Sequence, residues 1–386
     1  MKTNLQTIDP TGTKLLREFE YEIPLMSCVI DPTGRWCFAG GRGRKIYVTD
    51  INTGSTEIRD DHESWVVTSA SWATSNVPVT SPASQLSPAP PPLPQPAAPK
   101  TGSGKVGQIS NPSHRAADHK TQSLVVTGDM VGRLITWDTL GEQPQVRWSI
   151  ETGHGTMRTV AISNDGNLVA TGGGDGIVRL WSLTDGSPVR ELTGHTCPVF
   201  SSAFHPDGKH LLTGDRGDQK IKQWDFNTGK QLREFDAKDL SNYKGGTDIN
   251  YGGVRDIAFT PDGKTVFCCG RDSYGSPGLI LQFDWNTGKQ IRKQVSTFAS
   301  SIFHHLAVHP ESFFVTAGVG AQTGEIWFWK LDQEEKLASF KVKGPAYGMS
   351  LHPDGRHIAV AQMTGPKTYG DKGVVGLYEM PLASKK

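Results

Sequence analysis

The sequence FHPDGKHLLTGDRGDQKIKQWDFNTGKQLREF, residues 204–235, contains the two local patterns on which the fold prediction is based. It begins with Pro-Asp-Gly at 206–208, which is turn chemistry because proline presets the φ of a turn and aspartate and glycine suit the positions after it. The following apolar residues end at the pair Trp224-Asp225, and Asn-Thr-Gly at 227–229 supplies a second turn. The stretch therefore predicts β-strands joined by tight turns.

Both signals recur along the chain. The first turn signal, Pro-Asp-Gly or a relative of it after an apolar residue and one spacer, occurs at 30–34, 162–166, 204–208, 259–263, 308–312 and 351–355. The aromatic residue that ends a strand occurs in Trp137-Asp138, Trp181-Ser182, Trp224-Asp225, Phe283-Asp284, Trp329-Lys330 and Tyr378-Glu379, with Thr49-Asp50 as a degenerate copy. Such self-similarity is typical of a repeat architecture with four strands in each unit.

The spacing of the aromatic residues sets the number of units. Neighbours are 43 to 49 residues apart where no insertion intervenes, close to the ~40–45 residues of a propeller blade. Two longer gaps, of 88 and 59 residues, contain insertions. Removing the 47 residues of 75–121 leaves 339, or about 48 for each of seven units. We therefore predict an all-β chain whose single domain, 1–386, is a seven-bladed β-propeller of four-stranded antiparallel blades.

The segment 75–121 differs in composition from the rest of the chain. It contains 10 of the 24 prolines and almost no large apolar residues. Because it has too little apolar surface to bury, we expect a disordered, partly polyproline II loop inserted in blade 2. A ligand motif for an aromatic groove is the alternative interpretation.

The two ends of the chain are predicted to share one blade. Residues 14–24, KLLREFEYEIP, resemble the fourth strand at 230–235 but follow no first three strands. The last unit stops after its third strand, at 374–380. We expect the N-terminal strand to complete the last blade, because this removes a free sheet edge and closes the ring.

Composition excludes several classes of protein. The 40 Lys and Arg against 39 Asp and Glu give a net charge of +1, which does not favour binding to nucleic acid. Five cysteines without CxxC spacing predict reduced, buried thiols. The sequence has no apolar leader and no run long enough to span a membrane, so we expect a cytoplasmic protein that does not bind membranes.

Two units carry a fuller pattern: GHGTMRTVAISNDGNLVATGGGDGIVRLWSL from residue 153, and GHTCPVFSSAFHPDGKHLLTGDRGDQKIKQWD from residue 194. With the repeat, they resemble the WD (Trp-Asp) repeat family of β-propellers. In that family a Gly-His, a turn aspartate, a strand hydroxyl and the Trp form a buried tetrad. The resemblance implies structural roles for His154, Asp175 and Trp181, and for His195, Asp218 and Trp224.

The hydroxyl position of this tetrad departs from the family pattern. Gly173 and Arg216 occupy it, so a triad is expected unless Thr171 or Thr213 supplies the hydroxyl. The other five units lack the pattern and are expected to lack the network.

Residues that could carry chemistry do not form a recognisable catalytic motif. The His-Asp pairs fall where the family has a structural network. Because adjacent strand residues point to opposite faces, His304 and His305, with His309, do not predict a metal site. Cys268 and Cys269 lie in an apolar strand and are expected to be buried rather than redox-active. We therefore predict no enzyme activity, no cofactor and no metal.

The resemblance implies a binding surface instead. On a WD-repeat propeller, a residue just inside each first strand lies at the rim of the central channel. Aligning the units assigns this ring to Met26, Thr68, Arg158, Phe200, Arg255, His304 and Tyr347. Arginine and aromatic residues are enriched at binding hot spots.

Three long loops, 236–250, 271–278 and 364–373, are expected to extend the same face. They carry or adjoin the tyrosines Tyr243, Tyr251, Tyr274 and Tyr369. We therefore predict a monomeric, non-catalytic scaffold for a protein or peptide partner. The alternative is a lactonase- or lyase-like propeller enzyme that uses channel-mouth residues such as His304, Arg158, Arg255 and Tyr347.

Overall fold

The computed structural model describes residues 8–74, 121–240, 253–271, 277–297, 301–309, 313–319, 324–365 and 371–383. In these ranges, seven four-stranded antiparallel sheets form a seven-bladed β-propeller, so the predicted fold class is confirmed. The predicted disordered insertion at 75–121 lies outside the described residues except for Thr121. The two ends of this segment meet, since the Thr74 N–H donates to the Gln122 carbonyl at 3.1 Å.

The strands follow one another from the channel outward in each blade. Blade 1 contains β2 (Leu25–Ile30), β3 (Trp36–Gly41), β4 (Ile46–Asp50) and β5 (Thr56–Arg59). Blade 2 contains β6 (Val66–Ala73), β7 (Ser123–Asp129), β8 (Arg133–Asp138) and β9 (Gln145–Glu151). Blade 3 contains β10 (Met157–Ile162), β11 (Leu168–Gly173), β12 (Val178–Ser182) and β13 (Pro188–Leu192). Blade 4 contains β14 (Val199–Phe204), β15 (His210–Asp215), β16 (Lys220–Asp225) and β17 (Lys230–Asp236).

The later blades follow the same order. Blade 5 contains β18 (Val254–Phe259), β19 (Thr265–Arg271), β20 (Gly278–Asp284) and β21 (Gln290–Val295). Blade 6 contains β22 (Ile302–His309), β23 (Phe313–Val319), β24 (Gly324–Lys330) and β25 (Lys336–Val342). Blade 7 contains β26 (Ala346–Leu351), β27 (His357–Thr364), β28 (Lys372–Glu379) and the N-terminal β1 (Lys14–Tyr21). Two single turns of 3-10 helix, Pro10–Gly12 and Lys238–Leu240, are the described helical segments, and none could span a membrane.

The N-terminal strand closes the ring, as predicted. β1 pairs antiparallel with β28 from Lys14 opposite Glu379 to Tyr21 opposite Gly373. An isolated bridge between Ile8 and Leu382 extends this pairing. Because β1 is the outer strand of a blade whose other strands come from the C-terminal end, the two ends of the propeller are held by hydrogen bonds rather than by chain continuity.

Apolar side chains fill the spaces between blades, which explains why the inner strands are apolar on both faces. At the boundary of blades 5 and 6, the rings of Phe267 in β19 and Phe314 in β23 meet with centroids 4.9 Å apart. Glycines on the second strands allow this close approach. A Cβ on Gly40 would lie 2.4 Å from the Cβ of Val66, the first residue of β6 in the next blade.

Gly40→Ala is therefore expected to lower the free energy of unfolding by about 1–3 kcal/mol, because blades 1 and 2 would have to separate to admit the methyl group. Gly43→Ala is the matched control, since its Cβ would lie an ordinary 3.7 Å from Ile23. We expect the control to change stability by less than about 0.5 kcal/mol. Denaturant unfolding measures both, and equal effects of the two substitutions would contradict this role of Gly40.

Arginines on the outer strands hold each blade to the next. Arg190 in β13 donates to the Asn227 and Thr228 carbonyls in the outer turn of blade 4, at 3.0 and 3.2 Å. Arg233 in β17 makes the same kind of contact with blade 5. Further outer-strand arginines that donate to a carbonyl of the next blade are Arg17, Arg59 and Arg292.

Histidines in the first turns connect neighbouring blades at their inner hairpins. The His352 Nε2–H donates to the Gly34 carbonyl of blade 1 at 3.0 Å, and its Nδ1 lies 3.0 Å from an oxygen of Asp354. Asp354 also accepts from His357 Nδ1 at 2.7 Å. The equivalent His205 reaches the Gly263 carbonyl of blade 5. These bonds tie the turn of one blade to the turn of the next.

Asp354→Asn is expected to lower the free energy of unfolding at neutral pH by about 1–3 kcal/mol and to flatten its acid dependence. Burial alone raises the pKa of Asp354, but contacts with the rings of His352 and His357 hold this pKa well below its usual range. Because the folded-state pKa is depressed, this stabilisation is present above an unfolded pKa of about 3.9 and is lost as the pH falls through the folded value. Urea unfolding at neutral pH and at about pH 3 measures how the free energy of unfolding of wild type and of the variant changes with pH. An identical pH dependence of the two proteins would contradict the assignment.

Candidate functional site

Each first strand contains a β-bulge near its start. In β10 the register passes from Met157 opposite Gly173 to Thr159 opposite Gly172, which leaves Arg158 without a partner residue in the ladder. The same irregularity occurs in all seven first strands. A bulge redirects the side chain of the extra residue. The extra residues are Met26, Val67, Arg158, Phe200, Arg255, His304 and Tyr347.

Blade 2 differs from the ring assigned from sequence by one position. Val67 is its bulge residue, whereas Thr68 lies in the regular ladder opposite Gly128. The alignment used the turn after each first strand, and in blade 2 the insertion 75–121 replaces that turn. No turn signal was therefore present to set the register of β6.

The seven assigned residues nevertheless line a single cavity at the channel mouth. The cavity has a volume of about 200 Å³, and all seven blades contribute to its wall. Its wall includes the assigned residues Met26, Thr68, Arg158, Phe200, Arg255, His304 and Tyr347. Tyr243, Tyr251, Tyr274 and Tyr369, which were expected to extend this face, lie outside the described residues.

Two arginines and one aromatic ring form the cationic part of the cavity. The guanidinium carbons of Arg158 and Arg255 lie 5.3 and 4.9 Å from the centre of the Phe200 ring. Burial and three neighbouring arginines lower the pKa of Arg255 to about 10. Burial and Arg216 also lower the pKa of Arg158. Arg255 is therefore repelled by Arg158, Arg271 and Arg216.

The adjacent part of the cavity contains two histidines with different surroundings. Burial and Arg255 lower the pKa of His304 well below its ordinary value, and its ring lies 4.8 Å from that of Tyr347. His305 Nδ1 lies 3.1 Å from an oxygen of Asp256. Burial alone lowers the pKa of His305, but Asp256 raises it above its ordinary value. The surroundings thus shift the pKa values of the two rings in opposite directions.

The network implied for blade 3 is assembled with Thr171 as its hydroxyl. His154 Nδ1 lies 2.9 Å from Asp175, and His154 Nε2 lies 2.8 Å from the Thr171 oxygen. The Trp181 indole N–H donates to the same oxygen at 2.8 Å. These residues join a loop, two strands and a turn within one blade.

Blade 4 has the same network with a different aspartate. His195 contacts Asp215 at 2.7 Å and Thr213 at 2.7 Å, and Trp224 donates to Thr213. Asp218, the residue implied by the resemblance, instead accepts from the N–H and hydroxyl of Thr196. Asp215 is the last residue of strand β15, whereas the aspartate of the family pattern lies in the turn that follows the strand.

Blade 2 contains a third network, contrary to the expectation that five blades lack it. His62 lies 3.4 Å from Asp129 and 2.9 Å from Thr127, to which the Trp137 indole N–H donates at 2.9 Å. The sequence before β6 has Asp-His in place of Gly-His, which hid the signal. The sequence signal that could have revealed this network is Asp129 at the end of the second strand, the position that Asp215 has in blade 4.

Thr127→Val is expected to lower the free energy of unfolding by about 2–5 kcal/mol, because it removes the hydrogen-bond partner of two buried groups, the His62 Nε2 and the Trp137 indole N–H. Thr136→Val in the adjacent strand is the matched control. Thr136 is also fully buried, but its hydroxyl has no hydrogen-bond partner among the described residues. We expect the control to leave the free energy of unfolding unchanged or to raise it, and denaturant unfolding compares the two variants. A smaller loss of stability in Thr127→Val than in Thr136→Val would contradict the structural role of the network.

Cysteines and metal-type clusters do not add to this site. The described thiols are free, and four are buried as predicted, whereas Cys197 is half-buried. Within the described chain, three groups have metal-compatible spacing, and their side chains already bond one another or nearby backbone atoms. The groups are His205, Asp207 and His210; His352, Asp354 and His357; and His195, Asp215 and Asp218.

Comparison with known proteins supports the repeat assignment. The family profile described as "WD domain, G-beta repeat" matches residues 147–182, 186–225 and 243–274. The segment 186–225 begins in β13 of blade 3 and ends after the third strand of blade 4. Repeat and blade are therefore offset by one strand, which explains why a strand from the start of the chain completes blade 7.

Several curated relatives match part of the chain. Apoptotic protease-activating factor 1 of Rattus norvegicus is 31% identical over 147 residues, which is 36% of this chain and 11% of the relative. WD repeat-containing protein 91 of Xenopus tropicalis is 28% identical over 36% of this chain and 19% of its own length. Protein groucho of Drosophila melanogaster is 29% identical over 30% of this chain and 16% of its own length.

These matches span less than a fifth of each of the three relatives, so they bear on the propeller and not on the whole of those proteins. The profile matches, the relatives and the seven four-stranded blades agree. The chain is thus a seven-bladed β-propeller with three matches to the WD domain profile, and parts of it are similar to WD-repeat proteins.

Proposed function

We propose that this propeller is a non-catalytic scaffold that binds a protein or peptide at the mouth of its channel. The observation that carries the proposal is the convergence of seven bulge residues, one from each blade, on one cavity. A bulge redirects a side chain out of the regular ladder, and the strands present it on a rigid scaffold, as binding sites require. The WD-repeat relatives support a protein-interaction scaffold in general.

The composition of the cavity fits recognition of a polypeptide. Phe200 and Tyr347 offer half-buried aromatic surface, and Arg158 and Arg255 offer forked donors. Such residues dominate the binding energy of protein interfaces. The proposal includes a monomeric propeller in the cytoplasm without nucleic-acid or membrane contacts, which the near-zero net charge and free thiols support.

Site-specific photo-crosslinking tests the proposal directly. A photoreactive phenylalanine analogue at Val67, a bulge residue in the cavity wall, is expected to form an adduct with one predominant protein in the source cell. The matched control places the same analogue at Ile58, which is 52% exposed on the outer strand β5. An adduct at Val67 that is absent at Ile58 supports the proposal. The same adducts at both positions, or none at Val67, would contradict it.

One observation favours the enzyme alternative. Asp256 holds His305 at 3.1 Å inside the cavity, and a carboxylate beside an imidazole is the arrangement of an acid–base pair. A lactonase- or lyase-like activity would then depend on His305. Turnover of a lactone and ester panel by the wild type, lost in His305→Asn and retained in His210→Asn, would establish this alternative. Equal rates in wild type and His305→Asn would remove it.

A further inference from the structure

The hairpin between β14 and β15 in blade 4 brings two histidines and an aspartate together. His205 follows the last residue of β14, Asp207 lies in the Pro-Asp-Gly turn, and His210 begins β15. We call these three residues the blade 4 cluster. Because β14 begins at the channel mouth and ends at this hairpin, the cluster lies at the opposite end of the blade from the proposed binding cavity.

One donor atom from each residue of the blade 4 cluster converges on the same point. His205 Nδ1 lies 3.0 Å and His210 Nδ1 lies 2.6 Å from the same oxygen of Asp207. The three donor atoms all lie within 4.8 Å of one another. Zinc in proteins is bound tetrahedrally by imidazole nitrogens and carboxylate oxygens at about 2.0–2.2 Å, in many sites with three protein ligands and one water. The cluster therefore matches the ligand types and the spacing of a three-residue zinc site.

The ring of His205 is held in the orientation that a metal ligand needs. Its Nε2 lies 2.9 Å from the Gly263 carbonyl of blade 5, and since a carbonyl oxygen only accepts, this nitrogen carries a hydrogen. Metal-binding histidines usually donate their second ring N–H to such an acceptor, which directs the other nitrogen to the ion. The bond that an ion would replace at Nδ1 comes from the Asp207 N–H, at 3.1 Å.

Aromatic side chains of blade 5 fix the same ring. The Trp285 ring stacks on the His205 ring with centroids 3.9 Å apart and an angle of 17° between the planes. The Phe259 ring meets it edge-on at 4.9 Å. A ligand that is already fixed before the ion binds loses little conformational entropy on binding. The cluster thus has one rigid ligand, on which two side chains of the hairpin converge.

Blade 7 has the same residue types at the same spacing, in His352, Asp354 and His357, but with a different geometry. Each ring there contacts a different oxygen of Asp354, at 3.0 and 2.7 Å. The side chains of Asp354 and His357 are only 8% and 3% exposed. Those of Asp207 and His210 are 31% and 23% exposed. The blade 7 residues are therefore a closed hydrogen-bonded group, whereas a hydrated ion can reach the blade 4 cluster.

We propose that His205, Asp207 and His210 bind one zinc ion. Two imidazoles and one carboxylate supply three of its four ligands, and water or a donor atom of a bound partner supplies the fourth. Because His205 also contacts Gly263 and Trp285, zinc binding stabilises the boundary of blades 4 and 5 and raises the melting temperature. The site departs from the expectation, drawn from the sequence alone, that the chain holds no metal.

Titration of the full chain with zinc chloride, followed by calorimetry, tests the proposal. Wild type is expected to bind zinc saturably and to leave magnesium unbound, since magnesium prefers oxygen ligands. Asp207→Asn removes one ligand and is expected to weaken zinc binding by at least about tenfold. The melting temperature without zinc reports whether the variant is folded.

Asp262→Asn is the matched control for this substitution. Asp262 has the same turn position in blade 5, where Thr260 and Thr265 replace the two histidines. Each aspartate accepts from the N–H two residues further on, at 2.9 Å in blade 4 and 3.1 Å in blade 5, so both variants lose the same turn bond. We expect the control to leave the affinity for zinc unchanged.

His210→Thr is a second variant of the cluster, and its residue is the one that blade 5 has at this position, Thr265. Cobalt in place of zinc reports the geometry, because tetrahedral Co²⁺ absorbs visible light far more strongly than octahedral Co²⁺. We expect the strong absorption in wild type and its loss in His210→Thr.

The variants decide where zinc binds. Saturable zinc binding that is lost in Asp207→Asn and His210→Thr and retained in Asp262→Asn supports the proposal. No saturable binding by wild type overturns it. Binding that persists in both cluster variants belongs to another part of the chain and also overturns it.

Discussion

Deletion of residues 1–24 is expected to remove the cooperative unfolding transition of the propeller and to produce aggregation. The deletion removes β1, whose Phe19 and Tyr21 are buried at 6% and 5% exposure. Burial of two such side chains stabilises by about 3–6 kcal/mol, a large part of the stability of a domain. It also exposes the backbone of β28 as a new sheet edge, which favours association.

β1 also joins blade 7 to blade 1, which increases the expected effect. The Tyr21 hydroxyl lies 2.9 Å from that of Thr49 in β4. Arg17 donates to carbonyls in the outer turn of blade 1, and Glu18 pairs with Lys343 at the end of blade 6. Loss of one strand therefore weakens two blade boundaries as well as one sheet.

A permuted chain provides the control for this deletion. It begins at Leu25 and carries residues 13–24 after residue 383, joined by a short turn, so that β28 and β1 form an ordinary hairpin. Because Lys14 lies opposite Glu379, this connection is short. Calorimetry and light scattering should show a monomer with near wild-type stability. A deletion variant that stays monomeric and equally stable would refute the closure by β1.

Replacing Arg158, Arg255 and Tyr347 together by alanine is expected to weaken partner binding by more than about 100-fold. Truncation of arginine or tyrosine at a hot spot costs 2 or more kcal/mol each. The free energy of unfolding should change little, by about 0.5 kcal/mol or less per site. The reason is that these residues lie on bulges at the channel mouth, where Arg158 and Arg255 repel each other.

Calorimetry with the partner that crosslinking identifies measures the effect on affinity, and denaturant unfolding measures the effect on stability. Arg147→Ala with Lys341→Ala is the control for the loss of two charges, since both residues are exposed on outer strands. Unchanged affinity in the triple variant would reject the site. A large loss of stability with unchanged affinity per folded molecule would show that the three side chains pack the channel instead.

The fold was predictable from the repeat because each repeated signal depends on the turn and strand preferences of a few neighbouring residues. Pro-Asp-Gly turns, aromatic strand ends and Asn-Thr-Gly turns report on a few neighbouring residues each, and their spacing counts the blades. The closure by β1 was also predictable, since residues 14–24 resemble a fourth strand without a preceding unit.

Details that depend on register were less predictable. Thr68 was assigned in place of Val67 because the turn that anchors the alignment is missing from blade 2. Asp218 was assigned because it lies in the turn where the family pattern has its aspartate, whereas His195 contacts Asp215 at the end of the preceding strand. An assignment that is wrong by one to three residues fits the sequence pattern almost as well, but it names a residue that makes different contacts.

Contacts between blades were not predictable, because no local pattern marks them. Arg190 and Arg233 donate to carbonyls about 40 to 50 residues away. His62 completes a network with Asp129, 67 residues along the chain and beyond the insertion. The opposite pKa shifts of His304 and His305 likewise depend on residues of another blade, Arg255 and Asp256.

Amide hydrogen exchange of the propeller, alone and with the partner that crosslinking identifies, tests binding at the channel mouth most directly. Exchange reports the protection of each backbone segment on binding. We predict that slowed exchange centres on the starts of the first strands, at β10, β14, β18 and β26, where the bulge residues lie. Protection confined to the outer strands β5, β9, β13 and β17, with unchanged exchange at the first strands, would contradict it.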